Sequence, residues 1–229
     1  MDTGLYIAAS GMLAQQVRED QLSNDLSNAS TPGYKTDSSV QQDFGSLLLS
    51  NTATGQTIGS INTGVRLGSP VTNLTPETLH STGQPLDFGI AGQGFFAVRT
   101  AQGVRYTRDG EFQGNAQGLL TDSLGNPVLS QNGATITVSA QGTVPASSLG
   151  VFNLTNPAKQ GENLYTGTLA GRGTGTVKQG ELEDSAVDPV MTMTNMISSL
   201  QTYQAGENAI QTIDSTMQES AGSVASLTG

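Results

Sequence analysis

The side chains able to carry out acid-base or nucleophilic chemistry are few in this chain. His80, in the stretch PETLHST, is the only histidine, and there is no cysteine. A Ser-His-Asp triad would have to use His80, yet the sequence contains no G-x-S-x-G nucleophile to pair with it. A lone histidine in a polar loop is usually solvent-exposed rather than a base. The sequence therefore predicts that the protein is not an enzyme.

Two glycine-rich stretches are candidates for phosphate-binding loops. GQGFFA, 92–97, matches the dinucleotide pattern G-x-G-x-x-A, but that site needs a helix beginning at the glycines. Strand-forming residues follow instead, so a strand is predicted here. GRGTGTVKQG, 171–180, lacks the G-K-[ST] ending of a phosphate loop and is predicted to be a flexible connection into the last helix. No cofactor is expected.

Acidic residues cluster just before the last predicted helix. ELED, 181–184, could bind a hard cation weakly. More often such a cluster is a solvated patch whose charge favours the N-terminus of the following helix, so no metal site is predicted. In RYTRDGEF, 105–112, the sequence predicts a plain β-hairpin with a type I′ turn at Asp109 and Gly110.

The charge balance argues against two classes of partner. The net charge is -10, Lys and Arg together number only 9, and none follows Lys178. Nucleic acid and anionic membrane surfaces would be repelled. No run approaches the ~20 apolar residues of a membrane span, and MDTGLYIAASGMLAQQ lacks the features of a cleaved signal peptide. We therefore expect no membrane insertion, and a protein that stays in the cytosol or leaves the cell without such a signal.

The sequence begins with a predicted N-terminal helix. Apolar residues recur at three- and four-residue intervals over 5–29, which predicts a long amphipathic helix. It must end in SNASTPGYK, 27–35, because Pro32 pushes Thr31 out of the helical conformation and Gly33 can take the positive φ of a Pro-Gly turn. The predicted helix-ending corner consists of Thr31, Pro32, Gly33 and Tyr34.

A second long helix is predicted from Pro189 to about Val224. Asp188 is suited to cap it, and proline fits the first helical position. Its apolar residues lie seven apart, as in the seam of a coiled coil, with Leu200 and Ala221 at the companion positions. The seam residues are Met196, Tyr203, Ile210, Met217 and Val224.

Between the helices the pattern changes to short β-type runs separated by AQG, RDG, LGNP and QNG turns. This pattern predicts an antiparallel sandwich or barrel-like β domain. A polar stretch before it is predicted to be an extended linker with one anchoring patch at 44–49. The fold class is therefore α+β. The two helices are expected to pair as a coiled coil or, alternatively, to pack on the β domain. The predicted parts are the N-terminal helix and corner over 1–35, the linker over 36–60, the β domain over 61–180 and the C-terminal helix over 181–229.

Three blocks of this sequence resemble the bacterial flagellar hook and basal-body rod protein family. GLYIAASGMLAQQ with SNDLSNASTPGYK resembles the family's N-terminal signature, and GQPLDFGIAGQGFFAV with YTRDGEF its central one. VKQGELEDSAVDPVMTMTNMI with YQAGENAIQTID is similar to its C-terminal signature. The sequence departs from the family at Asp25, commonly asparagine, and from Leu200 onwards, where the family often has an arginine and a Tyr-Glu-Ala-Asn run.

The resemblance implies a structural subunit of the flagellar basal-body rod, more like the distal than the proximal kind. A proximal rod or hook-type axial subunit is the alternative, although a hook subunit would normally carry an additional outer domain. In that family the terminal helices pack together and line the inner tube, while the β domain faces outwards. The implied partners are further copies of the chain, other rod and hook subunits and the flagellar export apparatus. The implied location is the flagellar basal body, outside the cytoplasm and reached without a cleaved signal peptide.

The resulting hypothesis is that apolar residues of the two helices drive polymerisation, within and between subunits. They are Leu5, Met12, Leu22, Leu26, Met196, Leu200, Tyr203, Ile210 and Met217. The alternative of another class is a secreted β-domain binding or adhesion module with glycan contacts from Tyr106 and Phe112. Such a module would be expected to stay monomeric.

Overall fold

The computed structural model describes residues 2–43, 45–50, 57–62, 64–161 and 163–227. A long helix stands at each end of the chain and a β-rich region lies between them, so the α+β class predicted from the sequence is confirmed. The chain divides into two compact units. The helical unit contains 1–26, 37–71 and 189–229, and the β unit contains 27–36 and 72–188.

The two helices are α1, Asp2–Ser27, and α2, Pro189–Leu227. The start of α2 at Pro189 confirms the sequence prediction, since proline has no amide to lose at the first helical position. At 1.5 Å per residue, the 39 residues of α2 extend for roughly 58 Å. Among the described residues, no helix is both long and apolar enough to cross a membrane.

Four strands accompany the helices in their unit. They are β1, Asp37–Asp43; β2, Ser46–Ser50; β3, Thr57–Asn62; and β4, Val65–Thr72. β1 is hydrogen-bonded to β4, and β2 pairs antiparallel with β3 in the register Leu48↔Ser60. The stretch predicted as an extended linker, 36–60, thus contains paired strands. Part of the predicted anchoring patch, Phe44, lies outside the described residues.

The β unit is built around one five-stranded antiparallel sheet. Its order is β11-β7-β8-β13-β12, and β6–β14, β5–β15 and β9–β10 form three two-stranded pairs. Within the described residues the sheets do not close into a barrel, so the barrel-like arrangement predicted from the turn spacing is not what forms. The strands are β5, Leu79–Ser81; β6, Phe88–Ala91; β7, Phe96–Thr100; β8, Gly103–Thr107; β9, Gln113–Gly114; β10, Leu120–Thr121; β11, Val128–Leu129; β12, Phe152–Lys159; β13, Leu164–Arg172; β14, Thr176–Gln179; and β15, Glu181–Glu183.

Three phenylalanine rings form the centre of the β unit's core. Phe96 and Phe112 pack edge to face with ring centroids 5.2 Å apart, and Phe88 lies 6.2 Å from Phe112. All three side chains are buried. Phe112 therefore has no exposed ring to offer a glycan, which removes one of the two residues of the adhesion alternative. Tyr106 is half-buried and packs on Phe152 at 6.0 Å.

The hairpin predicted at Asp109 and Gly110 is wrong. β7 and β8 are instead joined by a turn at Ala101 and Gln102, with Thr100 paired to Gly103, and Gly110 does not have the positive φ that a type I′ turn requires. A Cβ atom at Gly110 would lie 1.6 Å from the carbonyl oxygen of Phe88. Glycine is thus needed here for a close approach of two backbone segments, a need that the Asp-Gly dipeptide does not signal.

Candidate functional site

The first candidate site is the face along which α1 and α2 contact each other. The Ser199 hydroxyl donates to Oε1 of Gln15 at 3.0 Å, and a Cβ atom at Gly206 would lie 2.8 Å from Cγ of Met12. Gly4 faces Ile213, so the helices run antiparallel. The inner face of α2 carries Ser199, Gly206 and Ile213, which are spaced seven apart, and the buried Thr192 lies seven residues before Ser199. The small residues Ser199 and Gly206 let the two helices approach closely.

Seven of the nine predicted interface residues are half-buried and two are exposed. Met196, Tyr203, Ile210 and Met217 are half-buried, and so are Met12, Leu22 and Leu26 of α1. Leu200, predicted as the companion of the seam, is instead 44% exposed, and Leu5 is 39% exposed. The companion positions of the seam begin at Ser199 and not at Leu200. Ser199 follows the seam residue Met196 by three residues, or about 300° of helix, and Leu200 follows it by four, or about 400°. Both positions lie within about 60° of Met196, so the apolar pattern alone does not show which of the two is buried.

A second apolar surface, the outer stripe, lies on α2 away from the inner face. Its residues are exposed and spaced by three, four and three positions: Val190, Met193, Ile197 and Leu200. At about 100° per residue, this stripe is roughly a third of the way around the helix from the inner face. On α1, Tyr6 and Leu13 are also exposed and lie seven residues apart. Exposed apolar groups in such an order are typical of an interaction surface.

The second candidate site is the helix-ending corner. α1 ends at Ser27, and the Thr31 amide donates to the carbonyl of Asn28. Gly33 has a φ of 62°, as the Pro-Gly turn predicted. A Cβ atom at Gly33 would also lie 2.4 Å from the Arg108 carbonyl oxygen, so no larger residue fits without displacing backbone.

Gly33 and Tyr34 of the corner are buried in the β unit, and Thr31 and Pro32 are half-buried. The Tyr34 ring is covered by the Lys159 ammonium, whose Nζ lies 4.0 Å from the ring centroid. The Asn163 side-chain amide donates to the Pro32 carbonyl at 3.1 Å. The corner residues predicted from the sequence are thus held by tertiary contacts with the β unit.

Sequence reasoning missed three buried charged residues beside this corner: Lys35, Arg108 and Glu183. The Lys35 ammonium donates to Oε1 of Glu183 at 2.7 Å, and Nη1 of Arg108 donates to Oε2 at 2.9 Å. Glu183 is 1% exposed, so the prediction that ELED forms a solvated patch is wrong for this residue. Lys35 lies in SNASTPGYK, Arg108 in RYTRDGEF and Glu183 in ELED. Their pairing was not evident because the partners lie 75 and 148 residues apart.

Asp109 is the other unusual acid near the corner. The pKa of its carboxyl is raised to about 6, mainly by burial and also by the carboxylates of Glu111, Asp122 and Asp87. The Glu111 amide, which donates to Asp109 at 3.0 Å, opposes the shift. The folded state therefore binds a proton between about pH 4 and pH 6 that the unfolded state does not hold.

The raised pKa predicts a pH-dependent loss of stability. The contribution of Asp109 to the free energy of unfolding is fully present below about pH 4. It is lost as the pH rises through about 6, and the loss is at most ~3 kcal/mol. Asp109→Asn keeps an acceptor for the Glu111 amide and removes the charge. We expect the variant to be more stable than the wild type at pH 7.5 and similar to it at pH 3.5. Urea unfolding followed by circular dichroism measures this difference, and equal gains at both pH values would contradict the prediction.

The remaining candidates for chemistry do not form a catalytic arrangement. His80 lies on β5, where its Nδ1 is 2.6 Å from Oδ1 of Asp184, and both side chains are about half-exposed. The GQGFFA stretch leads into β7, as predicted. The GRGTGTVKQG stretch, predicted to be a flexible connection, contains β14, which pairs with β6. Within the part of the chain that the structure describes, no three His, Asp or Glu side chains are grouped to hold a metal ion.

Comparisons with known proteins match both helices and the β unit. A model described as flagella basal body rod protein matches residues 5–35. The flagellar hook protein FlgE/F/G D1 domain matches 89–146, and the flagellar basal body rod FlgEFG protein C-terminal model matches 178–222.

Similar whole proteins come from several bacteria. The flagellar basal-body rod protein FlgG of Buchnera aphidicola subsp. Schizaphis graminum is 30% identical over 256 residues, covering 96% of this chain and 98% of that protein. The flagellar hook-basal body complex protein FlhO of Bacillus subtilis is 32% identical over 265 residues, with the same coverage. The flagellar basal-body rod protein FlgF of Caulobacter vibrioides is 30% identical over 246 residues, covering 98% of this chain and 97% of that protein.

These matches follow the order of the chain and cover most of both terminal helices, the corner and part of the β unit. They define a structural rather than a catalytic protein of the flagellar basal body. The chain belongs to the flagellar hook and basal-body rod protein family, and its named relatives place it among the rod subunits.

Proposed function

We propose that this rod subunit polymerises into a helical axial tube through its terminal helices. The observation that carries the proposal is the outer stripe, because Val190, Met193, Ile197 and Leu200 expose apolar side chains at regular helical spacing. Burying such side chains contributes about 1.5 to 3 kcal/mol each. Because the chain belongs to a rod family, we propose that a neighbouring copy of the same chain covers the outer stripe.

The neighbour's side of the contact is proposed to lie on α1. Tyr6 and Leu13 are exposed and separated by two helical turns, a spacing that matches that of Val190 and Ile197. An apolar notch of about 280 Å³, lined by Gly4, Thr212, Ile213 and Thr216, lies beside the inner face and offers room for a further side chain. Two surfaces on one chain that fit each other between copies produce a continuing helical assembly.

The predicted interface residues take two roles in this proposal. Met12, Leu22, Leu26, Met196, Tyr203, Ile210 and Met217 stabilise the helix pair within one subunit, as a coiled coil. Leu5 and Leu200 contact neighbouring subunits. Ion pairs do not direct the contacts of α2, since no Lys or Arg follows Lys178. Hydrogen bonds from its Gln, Asn, Ser and Thr side chains supply the specificity instead.

Further partners follow from the same proposal. Other rod and hook subunits contact the two ends of the tube, and the flagellar export apparatus delivers the chain without a cleaved signal peptide. A distal position in the rod is proposed over a proximal one. The adhesion alternative is disfavoured because Phe112 is buried.

The test is assembly of the purified chain. Electron microscopy at increasing protein concentration is expected to show tubes above a threshold concentration. Sedimentation should give monomers below it. A chain that remains monomeric at every concentration, including in the presence of isolated basal bodies, would contradict the proposal.

The order of the helices is expected to depend on assembly. Fixing the 26 residues of α1 and the 39 residues of α2 costs conformational entropy that one helix pair offsets only in part. Circular dichroism should therefore show less helix in the dilute monomer than in the polymer, while the β unit stays folded. Two fully protected helices in the dilute monomer, measured by hydrogen exchange, would rule out folding on assembly.

A further inference from the structure

One carboxylate lies at the centre of a buried cluster in the β unit. Oε1 of Glu183 accepts hydrogen bonds from the Lys35 ammonium at 2.7 Å and from the Glu77 amide at 2.8 Å. Oε2 accepts from Nη1 of Arg108 at 2.9 Å. All three charged side chains are at least 97% buried. Glu183 thus connects four separate segments of the chain through one functional group.

The two cations also donate hydrogen bonds to backbone carbonyl groups. Lys35 Nζ also donates to the Thr75 carbonyl at 2.6 Å, and Nη2 of Arg108 donates to the Gly92 carbonyl at 2.8 Å. The Arg108 guanidinium additionally lies 5.5 Å from the centroid of the Phe95 ring. Nε of Arg108 is buried without a hydrogen-bond partner among the described residues, whereas both carboxylate oxygens of Glu183 and the Lys35 ammonium are bonded. Because breaking a buried ion pair leaves an uncompensated charge, the bonds that are made hold the backbone partners of the cluster in place.

The segments that lead to the two helices are bound together at the same place. The Gly33 amide donates to the Glu183 carbonyl at 2.9 Å, and the Ala186 amide donates to the Tyr34 carbonyl at 3.0 Å. Next to them, the Ser185 hydroxyl donates to the Asn28 carbonyl at 2.9 Å. The connector after α1 and the connector before α2 therefore run side by side within the β unit.

The residue before β1 and the residue after β4 are hydrogen-bonded to each other close to the Glu183 cluster. The Asn73 amide donates to the Thr36 carbonyl at 2.9 Å, one residue after Lys35. The chain passes between the two units at four places: 26–27, 36–37, 71–72 and 188–189. Every one of these passages lies within about six residues of a group in the Glu183 cluster or its backbone bonds.

We propose that the cluster of Lys35, Arg108 and Glu183 is a rigid joint that anchors all four passages to the β unit. The Pro-Gly corner is then part of the rigid piece and not a hinge. Any freedom of the helices begins beyond Ser27 and before Pro189. Glu183 is a positioning residue in this proposal, which concerns the β unit alone and does not depend on polymerisation.

Amide hydrogen exchange, measured by NMR on the full-length monomer, tests the joint. In the wild type, the amides of Gly33, Asn73 and Ala186 are expected to exchange as slowly as those of β7. Glu183→Gln should accelerate all three together by at least about 10-fold, relative to β7, because two buried cations lose their counter-charge. A local loss of fold elsewhere would not affect these three amides selectively.

A milder variant keeps the test decisive if Glu183→Gln does not fold. Lys35→Met leaves the Arg108–Glu183 pair in place and should accelerate the same three amides by a smaller factor. Lys178→Met is the matched control. Lys178 pairs with Glu181 at 3.3 Å, but its side chain is about half-exposed, so the substitution should leave the exchange rates of the three amides unchanged. Fast exchange of the three amides in the wild type would contradict the proposed joint. A folded Lys35→Met variant in which the three amides exchange no faster than in the wild type would contradict it as well.

Discussion

Gly110→Ala is expected to destabilise the β unit by at least ~3 kcal/mol and to lower its melting temperature by roughly 10 °C. The added methyl group would lie 1.6 Å from the Phe88 carbonyl oxygen and 2.7 Å from its carbonyl carbon. Neither atom belongs to a side chain that can rotate away. Because Phe88 is fully buried in the core and its amide donates to the Gly110 carbonyl, β6 would have to move as a whole.

A second glycine of the same unit provides the control. A Cβ atom at Gly114, on β9, would meet Val138 at an ordinary contact distance of 3.5 Å, and its φ is not positive. Gly114→Ala should therefore change the unfolding free energy by no more than ~0.5 kcal/mol. Thermal unfolding followed by circular dichroism compares the two variants. Equal melting temperatures for both would show that the close approach at Gly110 is not a constraint.

Ile197→Asp is expected to prevent polymerisation while leaving the monomer's fold intact. Ile197 is 59% exposed, so an aspartate there costs the monomer little. In a tube the same position would lose about 1.5 to 3 kcal/mol of apolar burial and would bury an unpaired carboxylate. The threshold concentration for assembly should rise at least ~100-fold, since each 1.4 kcal/mol corresponds to tenfold.

Ser198→Asp is the matched control for the outer stripe. Ser198 is exposed on the same turn of α2 but points about 100° away from Ile197, and its substitution introduces the same charge. We expect this variant to assemble at nearly the wild-type threshold, measured by sedimentation and electron microscopy. If Ile197→Asp assembles as readily as Ser198→Asp, the outer stripe is not the contact between subunits.

A variant in the predicted seam of α2 separates contacts within one subunit from those of the outer stripe. Ile210→Asp places a charge on the half-buried seam, so it should weaken the helix pair itself and reduce helix content as well as assembly. Ile197→Asp should affect assembly alone. The pair of variants thus distinguishes contacts within one subunit from contacts between subunits.

The elements that follow local rules were predictable from the sequence. The end of α1 before Pro32, the positive φ of Gly33 and the start of α2 at Pro189 depend on backbone chemistry within a few residues. The strand at Phe96 followed from its β-branched and aromatic neighbours. The pairing of β1 with β4 was missed because β1 is almost entirely polar and the two strands lie about 30 positions apart in the chain.

The corner at SNASTPGYK shows where local information ends. The sequence by itself determined that a helix must stop there, since proline lacks the amide to continue it and glycine accepts the turn. Only the tertiary structure decided what holds the stopped chain, because Lys35 pairs with a carboxylate 148 residues away. The same distinction applies to α2, where the heptad spacing determined a seam and the contact with Met12 selected Gly206 as its companion. Spacing specifies the period of a helix, but the position of its partner selects the face that is buried.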